Sequence, residues 1–225
     1  MCKIWYLSPS NQQSNIGAGN YGSEKKQMNL LMDEIIPHLD RAGVSFHRAD
    51  PDMRIQDRVT ESNQMQAAFH LAIHSNAGGN GQARGPVAFY YSDTGKIFAE
   101  RVIHALLDLE PENNRAANLC QNQSFYELRR TAAPACLLEV DFHDNPSGAD
   151  YLMTNRSRIA AAIANAIIQA DGKTFVPETD GEYLERAIRL GLFSRMTDWN
   201  SPLNKEEAAI IMMRLLDTIK KGVNV

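Results

Sequence analysis

Four side chains carry chemistry that their sequence surroundings do not explain. Glu139 stands inside the apolar run Leu137-Leu138-Glu139-Val140. An ionised carboxylate there is costly unless a positive centre or a metal compensates it. His74 directly follows Leu71-Ala72-Ile73, Glu24 opens a helical stretch, and His143 comes four residues after Glu139. Catalytic zinc takes imidazole nitrogen and carboxylate oxygen from three protein ligands and keeps a water in the fourth position. A carboxylate that is not a ligand can take a proton from that water. Glu24, His74, His143 and Glu139 supply this inventory. Spacing alone does not select it, because no close pair has the form His-Glu-x-x-His. A Glu at a helix start is more often a surface residue favoured by the helix dipole, and a His after a strand is more often structural.

These residues need a scaffold, and the hydrophobic pattern supplies one. Lys3 to Leu7 reads as a buried strand, followed by a Ser-, Asn-, Gln- and Gly-rich loop to Gly22. Ser23 is a good N-cap, and Met28, Leu31, Ile35 and Leu39 at helical spacing predict a helix over Glu24–Arg41, ended by Gly43. Val44 to Arg48 suggests a short strand, and about Arg58 to Phe69 a helix. Leu71 to Ile73 is a short strand ending at His74, then a glycine-rich loop runs to Gly85. Val87–Tyr91 and Ala135–Phe142 read as strands, Thr94–Leu109 and Asn155–Ala170 as helices. Strands alternating with helices imply an α/β fold, a mixed, mostly parallel sheet flanked by helices. The ligand site of such a sheet lies at the carboxyl ends of its strands, where His74 and His143 fall.

Composition narrows the function. The chain has 225 residues, 44% of them hydrophobic, enough for one full domain and a small appendage. A net charge of −4 with mixed signs gives no basic face for nucleic acid. The start, Met1-Cys2-Lys3-Ile4-Trp5-Tyr6-Leu7, is too short an apolar run for a signal peptide or a membrane span. The expectation is synthesis in the cytoplasm, no membrane or nucleic-acid partner, and action elsewhere only after release. Three cysteines without paired spacing argue against a disulfide framework, and Cys136 reads as a small buried hydrophobe.

At the chemical residues the sequence resembles a known family. Ala72-Ile73-His74-Ser75-Asn76-Ala77 resembles the Ser-Ile-His-Ala-Asn-Ala motif of the third family of N-acetylmuramoyl-L-alanine amidases. Gly22-Ser23-Glu24 matches its helix-opening Glu, and Arg84-Gly85 with Val87 to Tyr91 its Gly-x-x-x-Tyr-Tyr strand. Leu128-Arg129-Arg130-Thr131 with Pro134 to Phe142 matches Leu-Arg-x-Thr…Pro-x-x-Leu-x-Glu-x-x-Phe, and Asn145 the following Asn. The resemblance spans residues 3 to about 170 in order. It implies a zinc-exopeptidase-like fold and hydrolysis of the amide between N-acetylmuramic acid and L-alanine in peptidoglycan. It assigns Glu24 and His74 to zinc, Glu139 to acid–base work, and Asn76 and Arg129 to the substrate.

One departure is large. The family's first strand ends in Asp-Pro-Gly-His-Gly-Gly, whose His binds zinc; here the residues are Ser8-Pro9-Ser10-Asn11-Gln12-Gln13, with Asn11 in the place of that His. The chain more closely resembles a branch that begins Leu-Ser-Pro-Ser and ends His-Asp-Asn-Pro, in which His143 replaces the lost ligand. The other outcomes are a weakened two-ligand site and a wall-binding protein without catalysis; a zinc peptidase on a related fold is a further rival. Residues 1–171 form the expected catalytic domain and 172–181 a linker. In residues 182–225, Ala187-Ile188-Arg189-Leu190-Gly191-Leu192 and Asn204-Lys205-Glu206-Glu207-Ala208 with Arg214-Leu215-Leu216 resemble one S-layer-homology-type repeat for wall attachment or homo-oligomerisation, and a plain helical hairpin is the alternative. Synthesis without a signal peptide is what suits an endolysin or autolysin.

Overall fold

The computed structural model describes residues 3–109 and 112–176, together with the single residues Ile210 and Met213. Residues Met1–Val176 make up one of two compact units of the chain. The strands are β1 (Trp5–Pro9), β2 (Phe46–Arg48), β3 (Phe69–Asn76), β4 (Val87–Tyr90), β5 (Leu119–Gln121) and β6 (Ala135–Phe142). The helices are α1 (Glu24–Arg41), α2 (Ile55–Gln64), α3 (Asp93–Leu107), α4 (Tyr126–Arg130), α5 (Pro146–Thr154) and α6 (Arg156–Ala170). The six strands form one sheet in the order β2-β1-β3-β6-β4-β5. The first four in that order run parallel, β4 runs antiparallel to β6, and β5 parallels β4.

The two faces of this sheet are built differently, and that difference positions the site. On one face, Trp5, Leu7, Leu71, Ile73, Leu138 and Val140 join the apolar sides of α1, α3 and α6 in the main core. Each fully buried aliphatic side chain there contributes roughly 1.5–3 kcal/mol. The apolar cluster on the other face is much smaller: Ala72, Ala135, Leu137 and Leu128 of α4, with Phe89 and Phe125 against them. The rest of that face is polar. Successive strand residues alternate sides, so Tyr6, Ser8, His70, His74, Glu139 and Asp141 share it.

The pattern expected for α1 is met from Glu24 to Arg41, with Ser23 in extended conformation accepting from Lys26 N. Gly22, at φ +75°, makes the left-handed turn into that cap. The helix expected from Arg58 to Phe69 lies earlier, at Ile55–Gln64. Gln66 turns the chain with φ +52°, and Ala68 N then bonds Ile4 O, so Phe69 and His70 enter the sheet beside Trp5 and Tyr6. β3 is therefore longer than the apolar run suggests. β5, α4 and α5 are too short for periodicity to reveal them. Residues 172–176 of the expected linker pack back onto α1: Phe175 stacks near His38, and Arg41 donates to Val176 O. The remaining linker and, apart from Ile210 and Met213, the expected helical tail lie outside the described residues. No described helix is long and apolar enough to cross a membrane.

The end of β6 is fixed by a buried ion pair. Asp141 is fully buried, 3.1 Å from both Nε and Nη2 of Arg84, and also accepts from Gly85 N and Phe142 N. Arg84 pairs as well with Glu112. α5 then crosses so closely that a Cβ on Gly148 would come 2.2 Å from Phe142 O. Removing one partner of a buried pair strands the other charge. Asp141→Ala is expected to cost about 3–5 kcal/mol in urea unfolding of the full chain; a loss below about 1 kcal/mol, as for an exposed pair, would contradict this role.

Candidate active site

The site forms where β1, β3 and β6 end at their carboxyl termini. The chain leaving β1 stays on the sheet for one more bond, from Ser10 N to Ile73 O, then folds onto the first turn of α1. Lys25 N donates to Gln12 O, Glu24 N to Asn15 O, and Asn29 Nδ2 to Ser10 O. Gln12 and Asn15 are thereby stitched beside Glu24, which the helix holds in its first turn.

Glu24 and His74 meet directly. His74 Nδ1 lies 2.7 Å from Glu24 Oε1, and both residues are buried. Asn15 Nδ2 donates to the other carboxylate oxygen at 2.8 Å and to Gln12 Oε1 at 2.6 Å; Gln12 Nε2 lies 3.2 Å from His74 Nδ1. Burial alone would lower the imidazole's pKa. The nearby Glu127 carboxylate, the bond to Glu24 and the charge of Glu139 outweigh it and raise the value to about 10. Burial would raise the Glu24 carboxyl, and the bond and charge of His74 turn the shift downward. The pair is thus a carboxylate and an imidazolium.

Below His74 a second carboxylate anchors the ring. Glu127 of α4 is buried; its Oε2 is 3.8 Å from His74 Nε2, its Oε1 is 3.1 Å from His70 Nε2, and it accepts from Ser8 Oγ at 2.6 Å. Burial would push this carboxyl up, but His70 and then His74 hold it well below the usual range. Arg58, almost fully buried, donates to Ser8 Oγ and to Pro9 O. Ser62 meets the other nitrogen of His70 at 3.1 Å.

Glu139 is the register partner of His74 on the adjacent parallel strand. Its Oε2 is buried and has no hydrogen-bond partner. Burial first, and the charge of Glu24 after it, raise its pKa to about 7 against the opposing pull of His74. A carboxyl poised near neutrality beside a positive group is the arrangement that general acid–base catalysis uses.

Of the residues singled out in the sequence, Glu24, His74 and Glu139 come together. His143 does not join them. Its Nδ1 lies 2.8 Å from Ser75 Oγ, which also accepts from Tyr21 OH at 2.7 Å, and its ring stacks on Tyr21. The sheet register shifts between His74 and Asn76, and Ser75 at that shift holds the His143 Nδ1. Asn76 is half-buried at the end of β3, where its Oδ1 accepts from Ala77 N and its carbonyl from His143 N. Arg129 is exposed on α4. The sequence argument missed Gln12, Asn15, Ser8, His70 and Glu127. His70 was legible in principle: His70 and His74 share one face of a strand. Assigning Phe69 to a helix hid that relation.

The donor set does not fit the zinc site that the resemblance implies. Such a site needs three protein ligands. Among the described residues no three His, Cys, Asp or Glu side chains are placed to hold one ion. Asn11, in the position of the missing ligand, donates instead to Met53 O at 2.9 Å.

Known proteins share this architecture. The catalytic domain of CwlV from Bacillus (Paenibacillus) polymyxa var. colistinus superposes with a TM-score of 0.66 over 75% of this chain and 97% of that one, at 20% identity. AmiC2 of Nostoc punctiforme gives 0.65 over 75% and 96%, at 23% identity. In sequence, the amidase CwlM of Bacillus licheniformis is 28% identical over 185 residues, 76% of this chain and 69% of its own length. The sporulation-specific N-acetylmuramoyl-L-alanine amidase of Bacillus subtilis is 30% identical over 186 residues, 76% and 68%. Residues 7–169 match the model of the Amidase_3 family, described as N-acetylmuramoyl-L-alanine amidase, and the chain belongs to that family.

Proposed function

We propose that this chain hydrolyses the amide between N-acetylmuramic acid and L-alanine in bacterial peptidoglycan, with Glu139 as its proton carrier. The observation that carries this reading is the buried, partnerless Oε2 of Glu139, one strand from His74, in a chain of this family. The names of the relatives CwlM and the sporulation-specific enzyme support the substrate. Water is a poor nucleophile at neutral pH, and the leaving L-alanine nitrogen needs a proton. One carboxyl can take the proton from water and return it to that nitrogen. The positive charge of His74 beside it favours negative charge developing on the amide oxygen. Asn76 and Arg129 are proposed to contact the glycan–peptide junction, and Glu127 to hold the His74 ring.

A second reading is favoured by the two-donor site and by Asn11 turned to Met53: a protein that binds wall and turns it over weakly. Product analysis on purified wall separates the two. An amidase leaves new L-alanine amino termini; a wall-binding protein is retained without products; a peptidase cuts between amino acids. Service as an endolysin or autolysin that reaches the wall after release from the cytoplasm, with residues 182–225 attaching it or joining copies, belongs to the same proposal. A chain ended after Val176 is expected to keep turnover and lose retention on wall; equal retention would give the tail another purpose.

Glu139→Gln keeps the shape and removes the proton carrier, so wall hydrolysis is expected to fall by about 10²–10⁴-fold. Stability moves the other way. The folded pKa of about 7 lies above the ordinary 4.5. This group's contribution to stability is therefore complete at pH below 4.5 and is lost as pH rises through 7. Above that range the Gln variant is expected to melt at a higher temperature than the wild type. A variant that melts lower yet keeps its turnover would make Glu139 a structural residue. Because a base works ionised, wild-type hydrolysis is expected to rise with pH through about 7; a rate falling over that range would exclude Glu139 as the base.

A further inference from the structure

We infer that this chain closes its site without a metal ion: the Glu24–His74 bond and the Gln12–Asn15 amide pair consume the donors a zinc ion would need, and one added imidazole beside them creates a zinc site. Geometry is the first argument. With ligands about 2.0–2.2 Å from a tetrahedral zinc, two donors of the same ion stand roughly 3.3 Å apart. Glu24 Oε1 and His74 Nδ1 are 2.7 Å apart, the separation of a charge-assisted hydrogen bond.

The second argument is that the neighbouring groups complete this bond instead of opening it. Glu24 Oε2 accepts an N–H from Asn15, and Asn15 also donates to Gln12 Oε1. Gln12 Nε2 packs 3.2 Å from His74 Nδ1, the nitrogen already bonded to Glu24. The cluster ties Glu24 and His74 to two amide side chains. An amide is a weak zinc ligand beside imidazole or carboxylate. The third argument is the fate of the other imidazole. His143 spends its Nδ1 on Ser75 and stacks its ring on Tyr21. Zinc entering this site would break the 2.7 Å bond, and among the described residues no third His, Cys, Asp or Glu side chain is placed with Glu24 and His74 to hold the ion.

The missing donor is therefore the whole deficit, and it can be supplied. Residue 12 already lies against His74, so Gln12→His places a ring nitrogen beside the pair. Asn11→His supplies one from the neighbouring position, at the loss of the bond to Met53 O. The test uses the full chain, dialysed against zinc and then against zinc-free buffer, with zinc counted per folded chain by plasma mass spectrometry. The wild type is expected to retain only background zinc, with no zinc-dependent rise in melting temperature. At least one histidine variant is expected to retain about one zinc per chain, and to lose it when Glu24→Gln is added. Stoichiometric zinc on the wild type would overturn the inference. So would two folded histidine variants that both fail to gain zinc. Zinc is counted here without reference to wall, so this result stands apart from the product analysis that tests the amidase reading. The two meet in one measurement: wild-type hydrolysis is expected to survive chelation, and loss on chelation with recovery on added zinc would also overturn the inference.

Discussion

The contact between Glu24 and His74 organises everything above the sheet. It joins the first turn of α1 to the end of β3, and the loop after β1 is folded so that Asn15 and Gln12 complete it. Two ionised groups taken out of water gain from each other only if their remaining lone pairs and protons are also satisfied. Here both carboxylate oxygens of Glu24 have donors, and both ring nitrogens of His74 face carboxylates. Glu139 is the exception. It sits close enough to feel the charges of His74 and Glu24, yet its Oε2 has no partner. That buried oxygen is left for a substrate.

The cost of this arrangement is borne by the sheet. Its α1–α3–α6 face carries nearly all of the apolar burial, while the opposite face spends Tyr6, Ser8, His70, His74, Glu139 and Asp141 on polar contacts. Those contacts hold because α2 and α4 bring Arg58, Ser62 and Glu127 to meet them. Asp141 is balanced separately by Arg84. Two buried networks thus flank the strand that carries Glu139, one reaching it through His74 and one fixing its end.

Much of this was legible in the sequence because the long elements announce themselves. The spacing of Met28, Leu31, Ile35 and Leu39 fixes α1, and the run from Ala135 to Phe142 fixes β6 and makes Glu139 conspicuous. Glu24 and His74 were found because motif and chain order agreed. What escaped was short or non-local. β5 and α4 have three and five residues, below the length at which a period can be counted. Gln12 and Asn15 look like loop residues until the loop is folded onto α1. The bond of His143 Nδ1 to Ser75 falls at a shift in the strand register, which spacing from Glu139 does not reveal.

The most direct measurement is the protonation of His74 itself, read from the imidazole nitrogen resonances of the full-length protein near neutral pH in the presence of equimolar zinc. The ion-pair arrangement predicts that both ring nitrogens carry protons and that the proton on Nδ1 is shifted far downfield by its bond to Glu24. An Nδ1 without a proton, with a resonance that moves on adding zinc, would contradict it.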